Sequence, residues 1–152
     1  MSTHAQAAKQ IRIELKKVFP STTFRVTSKT YSGGNSIRVS WIDGQTSEQV
    51  NKIIDKYQHG NFDGMTDSYE MNNCRSDISQ VKYVFAEREI SNDIKVAIFK
   101  ILQESYNLFD TVSNINDTSE LLMKHWGVWT AGQYINRITS KLDLSNGFKG
   151  EI

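Results

Sequence analysis

Between Phe24 and Trp41 apolar and polar residues alternate twice, and the two alternating runs are separated by Ser32, Gly33, Gly34 and Asn35. In the first run Phe24 and Val26 alternate with Thr23, Arg25 and Thr27; in the second Ile37, Val39 and Trp41 alternate with Ser36, Arg38 and Ser40. A period of two puts each apolar set on one side of a strand. Residues that tolerate positive φ between two such strands predict an antiparallel hairpin with a longish loop.

The flanks carry a different period. Ala8, Ile11, Leu15 and Val18 lie on one helical face with Lys9, Arg12, Lys16 and Lys17 pointing elsewhere, and Pro20 follows, so a helix is predicted over about 4–18. After a turn at Asp43-Gly44, Thr46 to Gln49 forms a capping box that opens a helix bearing Val50, Ile53, Ile54 and Tyr57, with Gly60 placed for a left-handed cap. Residues 61–79 are polar and aperiodic and read as loop with room for one short strand, Phe62, Met65, Tyr69 and Met71 suggesting contact with the core. Val81, Tyr83 and Phe85 mark a third strand, expected to be more buried than the first two because Val84 and Ala86 make its other side partly apolar. Ser91 then caps a long helix bearing Ile94, Ile98, Ile101 and Leu102; a loop follows over 107–117, and a short helix over 119–125. Thr130 and Gln133 form a second capping box for a last helix with Tyr134, Ile135, Ile138 and Leu142, and the tail from Ser145 is expected to fray. The order α-β-β-α-β followed by helices predicts an α+β fold: a small antiparallel sheet with helices packed on one face and a helical C-terminal portion. With no internal repeat or linker, 152 residues are expected to make a single domain over 1–152, its residues 80–145 being a strand plus helical portion.

Composition narrows the function classes. Lone Cys74 cannot form an internal disulfide and fits a reducing compartment, and no apolar run is long enough to span a bilayer, so the expected setting is cytoplasmic, with no membrane partner. Residues 1–42 carry seven basic side chains and one acid, a net +6, within a chain whose net charge is +1. One end is therefore expected to present a positive face able to meet nucleic acid or an acidic protein. His4, His59 and His125 lie far apart with no metal-ligand spacing; Asp43, Asp63 and Asp67 read as turn carboxylates, since they lack the glycine spacing of a calcium loop. Gly33-Gly34 precedes a strand rather than a helix and fits neither phosphate-cradling pattern, and no nucleophile elbow is present. The expectation is no cofactor, no metal and no enzyme activity. Arg25, Lys29 and Arg38 on the outward row of the hairpin, near Tyr31, are candidate partner contacts, as are Lys16 and Lys17; Trp126 and Trp129 are candidate interface anchors.

The stretch from Lys9 to Asp67, with KQIRIELKKVFP, FRVTSKTYSGGNSIRVSWIDGQTSEQV and FDGMTDSYE, resembles family 29 of the large polyvalent protein-associated domains. The similarity covers residues 9–70 and rests on Tyr31, Ser32, Gly33, Gly34, Trp41, Asp43, Gly44, Phe62, Asp63, Gly64 and Asp67; Gln45 stands where a proline is expected. The glycines match turns that need positive φ, Trp41 an inward strand position, and the aspartates turn formers. The resemblance implies a phage or conjugative-element protein working in a bacterial host, and supplies no catalytic residue. A small chain of this kind is expected to act by occupying a surface. The leading expectation is a counter-defence protein, such as an anti-CRISPR or anti-restriction inhibitor of a host defence protein complex. The alternative is a nucleic-acid-binding accessory protein of a mobile element that uses the basic N-terminal segment.

Overall fold

The computed structural model describes residues 2–106, 120–123 and 127–152. The chain divides into two compact units, Met1–Glu89 and Ile90–Ile152. In the first unit α1 (Thr3–Val18) is followed by β1 (Arg25–Tyr31), β2 (Gly34–Ile42), α2 (Ser47–Ile54) with a 3-10 turn (Asp55–Tyr57), the short strands β3 (Asn61–Asp63) and β4 (Ser68–Glu70), and β5 (Tyr83–Glu89). The class is α+β, but the three-stranded sheet is mixed rather than antiparallel. Its order is β1-β2-β5, with β1 antiparallel and β5 parallel to β2. Helix α2 lies in the connection between β2 and β5, and such a crossover returns the chain parallel to the strand it left.

Turn chemistry decides several details. Tyr31 pairs with Gly34, so only Ser32 and Gly33 connect the hairpin, a tighter turn than expected. Of the glycines expected at positive φ, Gly34 and Gly44 are so placed (149° and 51°), whereas Gly33 and Gly64 are not; Asp67, at 50°, takes the left-handed position in the β3–β4 turn. Gly60 is not a left-handed cap either. It is required for another reason: a Cβ there would collide with the Glu70 carbonyl, because β4 runs hard against it. The capping box at Thr46 forms as the spacing predicts, Gln49 N–H donating to Thr46 Oγ1 (3.2 Å) and Thr46 N–H to Gln49 Oε1 (2.8 Å).

The core of this unit fills the space between the sheet and its helices. Ala7, Ala8, Ile11 and Leu15 of α1 and Val50 and Ile54 of α2 pack with Val26, Ile37, Val39 and Trp41. Strand register shows which side chains share that inner face: Val26, Val39 and Ala86 form one cross-strand row, and Ile37 stands beside Val84. Trp41 anchors one end, its indole N–H donating to the Gln45 carbonyl (2.9 Å) and its ring 5.5 Å from Phe24. Across the helices, Glu14 accepts from Lys56 Nζ (2.9 Å) and the Tyr57 hydroxyl (2.7 Å). Burial pushes the Glu14 carboxyl up, but these two donors outweigh it and hold it below the ordinary glutamate value.

The second unit holds α3 (Asn92–Tyr106), the antiparallel pair β6 (Glu120–Met123) and β7 (Gly127–Thr130), and α4 (Ala131–Thr139). Ile98, Phe99 and Leu102 of α3 pack on Ile135 of α4. Where a short helix is expected over 119–125, residues 120–123 form β6 instead. A short apolar run such as Leu121-Leu122-Met123 does not by itself choose between helix and strand, and the ladder to β7 settles it. The tail is less free than expected, since Phe148 packs against this second cluster and Leu144 is buried. The loop expected over 107–117 lies outside the described residues.

Candidate functional site

The alternation that turns Ile37, Val39 and Trp41 inward turns their neighbours outward, and the register arranges them in rows. Across the sheet the rows run Arg25–Ser40–Glu87, Thr27–Arg38–Phe85 and Lys29–Ser36–Tyr83, with Tyr31 at the hairpin end opposite Gly34. The face that α1 and α2 do not cover thus gathers Arg25, Lys29, Tyr31 and Arg38 from the hairpin and Tyr83 and Phe85 from β5. The third strand is therefore less buried than β2, although it is less exposed than β1. Phe85 is 45% exposed on this face, and Tyr31 is 41% exposed.

The aromatic residues form a continuous string. The Tyr83 and Phe85 rings lie 5.9 Å apart and nearly parallel, at 20°, and Tyr69 of β4 meets Tyr83 edge-on at 5.5 Å. Tyr69 is held in place by donating its hydroxyl to the Lys82 carbonyl (2.7 Å), and His59 packs edge-on against its other side. The Lys82 ammonium sits 5.7 Å from the Tyr83 ring centre and donates to the Gly33 carbonyl (2.9 Å), tying the hairpin turn to the string. Its stem crosses the face of Gly34, where any Cβ would strike it. Burial, and then the charge of Lys82, hold His59 below the usual histidine value, so the string gains no second cation there at neutral pH. Arg38 pairs with Glu87 at 2.8 Å, the two side chains 61% and 50% exposed, a contact that water and salt weaken readily.

Other candidates fall elsewhere. Lys16 and Lys17 are exposed in the last turn of α1, on the helix that covers the opposite face of the sheet. The +6 of residues 1–42 is thus divided between two surfaces instead of forming one. Trp126 and His125 lie outside the described residues, as does the side chain of Trp129; so does that of Thr130, and with it the second capping box. Phe62, Met65 and Met71 do not pack on the core as expected; they are exposed, and of that group Tyr69 is half-buried, against Tyr83. Asp63 accepts from the Met65 N–H (2.8 Å) and the Thr66 hydroxyl (3.0 Å), bonds that hold its carboxyl below its usual value and close the β3–β4 turn. Asp43 lies in a separate turn, where Arg88 donates to its carbonyl (2.7 Å) and to that of Gly44 (3.0 Å). Among the described residues no group of three histidine, cysteine or carboxylate side chains could hold a metal ion. Nor is any helix among them long and apolar enough to cross a membrane.

The motif residues thus fall on three turns of the first unit, together with the strand between the first two. The family model for large polyvalent protein associated domain 29 matches residues 2–91. The chain belongs to that family. The match runs past the stretch in which the resemblance is visible and takes in β5, ending two residues beyond the first unit at Glu89. Membership in family 29 associates the protein with phages and other mobile elements. No curated protein and no solved structure matches the chain. Within the family 29 region, Gln45 is buried; its carbonyl takes the Trp41 N–H while its side-chain oxygen has no hydrogen-bond partner. Sequence reasoning missed Phe85 as a surface residue; the alternation of Tyr83 and Phe85 with Val84 and Ala86 separates the two sides of the strand but does not say which one faces out.

Proposed function

We propose that this family member acts by binding rather than by transforming a substrate, and that its open sheet face holds single-stranded nucleic acid belonging to the mobile element or met by it. The observation that carries this reading is the stacked Tyr83–Phe85 pair, Phe85 exposed and Tyr83 half-buried, on the same face as Arg25, Lys29 and Arg38. Every base offers a π-face, so aromatic rings on a sheet hold bases with little sequence preference, while nearby cations track the phosphates. A labelled oligothymidine followed by fluorescence anisotropy is expected to bind and to lose affinity steeply between ~50 and ~200 mM salt, and a duplex of equal length to bind less well. Failure to bind at the lower salt ends this reading.

A second reading has its own support. Tyr31 projects at a two-residue turn with Lys29 and Arg38 close behind, and aromatic and arginine side chains are the usual anchors of protein interfaces. On this reading the same face occupies a host defence protein complex as an anti-CRISPR or anti-restriction inhibitor. Its test is the cleavage activity of a purified CRISPR or restriction complex. Addition of the protein should block cleavage, and the double variant Lys29→Glu, Arg38→Glu should not. Uninhibited cleavage by every complex tried would leave nucleic acid as the ligand of the face.

A further inference from the structure

Among the described residues the sheet order leaves β5 with β2 on one side and no strand on the other. Within a strand, the N–H and C=O of one residue point to the same side and those of the next to the opposite side. The Glu89 carbonyl takes the N–H of Asp43, which follows β2, so alternate residues Tyr83, Phe85 and Glu87 face β2 and Val84 and Ala86 face the free edge. The Val84 N–H confirms this direction, since it donates to the side-chain oxygen of Gln58 (2.8 Å) where a neighbouring strand would offer a backbone carbonyl. A fourth strand is in fact begun. Val81 donates to the Tyr57 carbonyl (2.8 Å), His59 donates to the Val81 carbonyl (3.1 Å), and Gln58 pairs with Val81 in parallel; after that one bridge the chain turns away. Where it leaves, a groove of about 530 Å³ opens along the edge, floored by β5 around Ala86 and walled by Asn51, Asp55, Asn61 and Asn73.

We infer that this edge takes up an extended peptide segment of a partner protein as an added strand, and that the segment carries lysine or arginine. Two features select this occupant. The edge offers the Ala86 N–H and C=O in the direction a strand requires, and the edge run from Val84 to Ala86 has no proline or lysine to repel one. The groove is lined by Asp55 and by Glu87, whose carboxylate is paired with Arg38, and by no lysine or arginine, so a cationic side chain is complemented at Asp55 and an acidic one repelled.

Selection of a displayed library of short random peptides against the full chain tests this. Enriched peptides are expected to alternate in polarity and to contain lysine or arginine. A synthetic copy should slow hydrogen exchange at the Ala86 amide, and should lose about tenfold or more in affinity for Ala86→Pro, the scale of one or two lost main-chain hydrogen bonds. A proline is tolerated at an edge position whose N–H makes no ladder bond. Should that variant misfold, Asp55→Lys is expected to weaken the peptide comparably with the Ala86 amide still observable. The inference is overturned if no peptide is enriched, or if enriched peptides leave Ala86 exchange unchanged. It is also overturned if the Ala86 amide is already slow without peptide and ultracentrifugation gives a dimer, for then a second copy holds the edge.

Discussion

Alanine at Phe85 is expected to weaken binding of a single-stranded oligonucleotide by about 5- to 150-fold, the equivalent of ~1–3 kcal/mol for one stacked base. The ring is 45% exposed and packs chiefly along Tyr83, so its removal takes little from the core and the variant should keep the circular dichroism spectrum of the parent. Phe85→Tyr retains a stacking face and should bind nearly as the parent does. Tyr83→Ala is a less clean probe, because Tyr69 and the Lys82 ammonium both lean on that ring. Anisotropy titrations in which Phe85→Ala matches the parent at every salt concentration would exclude stacking on this face. They would leave the protein-binding reading, which depends on Tyr31, Lys29 and Arg38, in its place.

The second large effect concerns stability. Trp41→Ala is expected to cost about 3–5 kcal/mol, since the indole is 3% exposed and the cavity left beneath the helices would refill only in part. Against the ~5–15 kcal/mol that holds a domain of this size together, such a loss leaves the first unit close to unfolding. Trp41→Phe should cost less. It keeps the contact with Phe24 but leaves the buried Gln45 carbonyl without its donor, a penalty of about 1–3 kcal/mol. Urea denaturation followed by circular dichroism distinguishes these cases; a midpoint for Trp41→Ala within error of the parent would mean that the ring does not anchor the core.

The two effects separate because they belong to opposite faces of one sheet. Trp41 and Arg38 lie on the same strand, three residues apart and on opposite sides of the pleat. One closes the hydrophobic core; the other stands between Thr27 and Phe85 on the open side. Stability variants and binding variants can accordingly be chosen independently, with Lys29 and Arg38 for contact and Trp41 for the core.

Much of this was legible in the residues. The period of α1, the capping box at Thr46 and the alternation of the hairpin are local patterns, each written within one turn or one strand. The outward row Arg25, Lys29 and Arg38 followed directly from the alternation. The errors share one origin. The parallel partner of β2 is contributed by a strand more than forty residues further along, and nothing local in Tyr83 to Phe85 states which of two partly apolar faces will meet the helices. The exposure of Phe62, Met65 and Met71 has the same cause: an apolar side chain in a turn-rich stretch is buried only if another element arrives to cover it.

What the sequence by itself determined, then, is the start of α1 and α2 and the two hairpin strands, which side chains share a side of each of them, and the turns that mark membership in family 29. Tertiary structure alone decided that β5 runs parallel beside β2, that Tyr83 and Phe85 join the basic row on the face that α1 and α2 do not cover, and that among the described residues one sheet edge stays open beside a groove. The reason is one of range. Backbone hydrogen bonding and side-chain alternation act between residues a few positions apart, whereas the assignment of faces and edges depends on which distant surfaces lose water together.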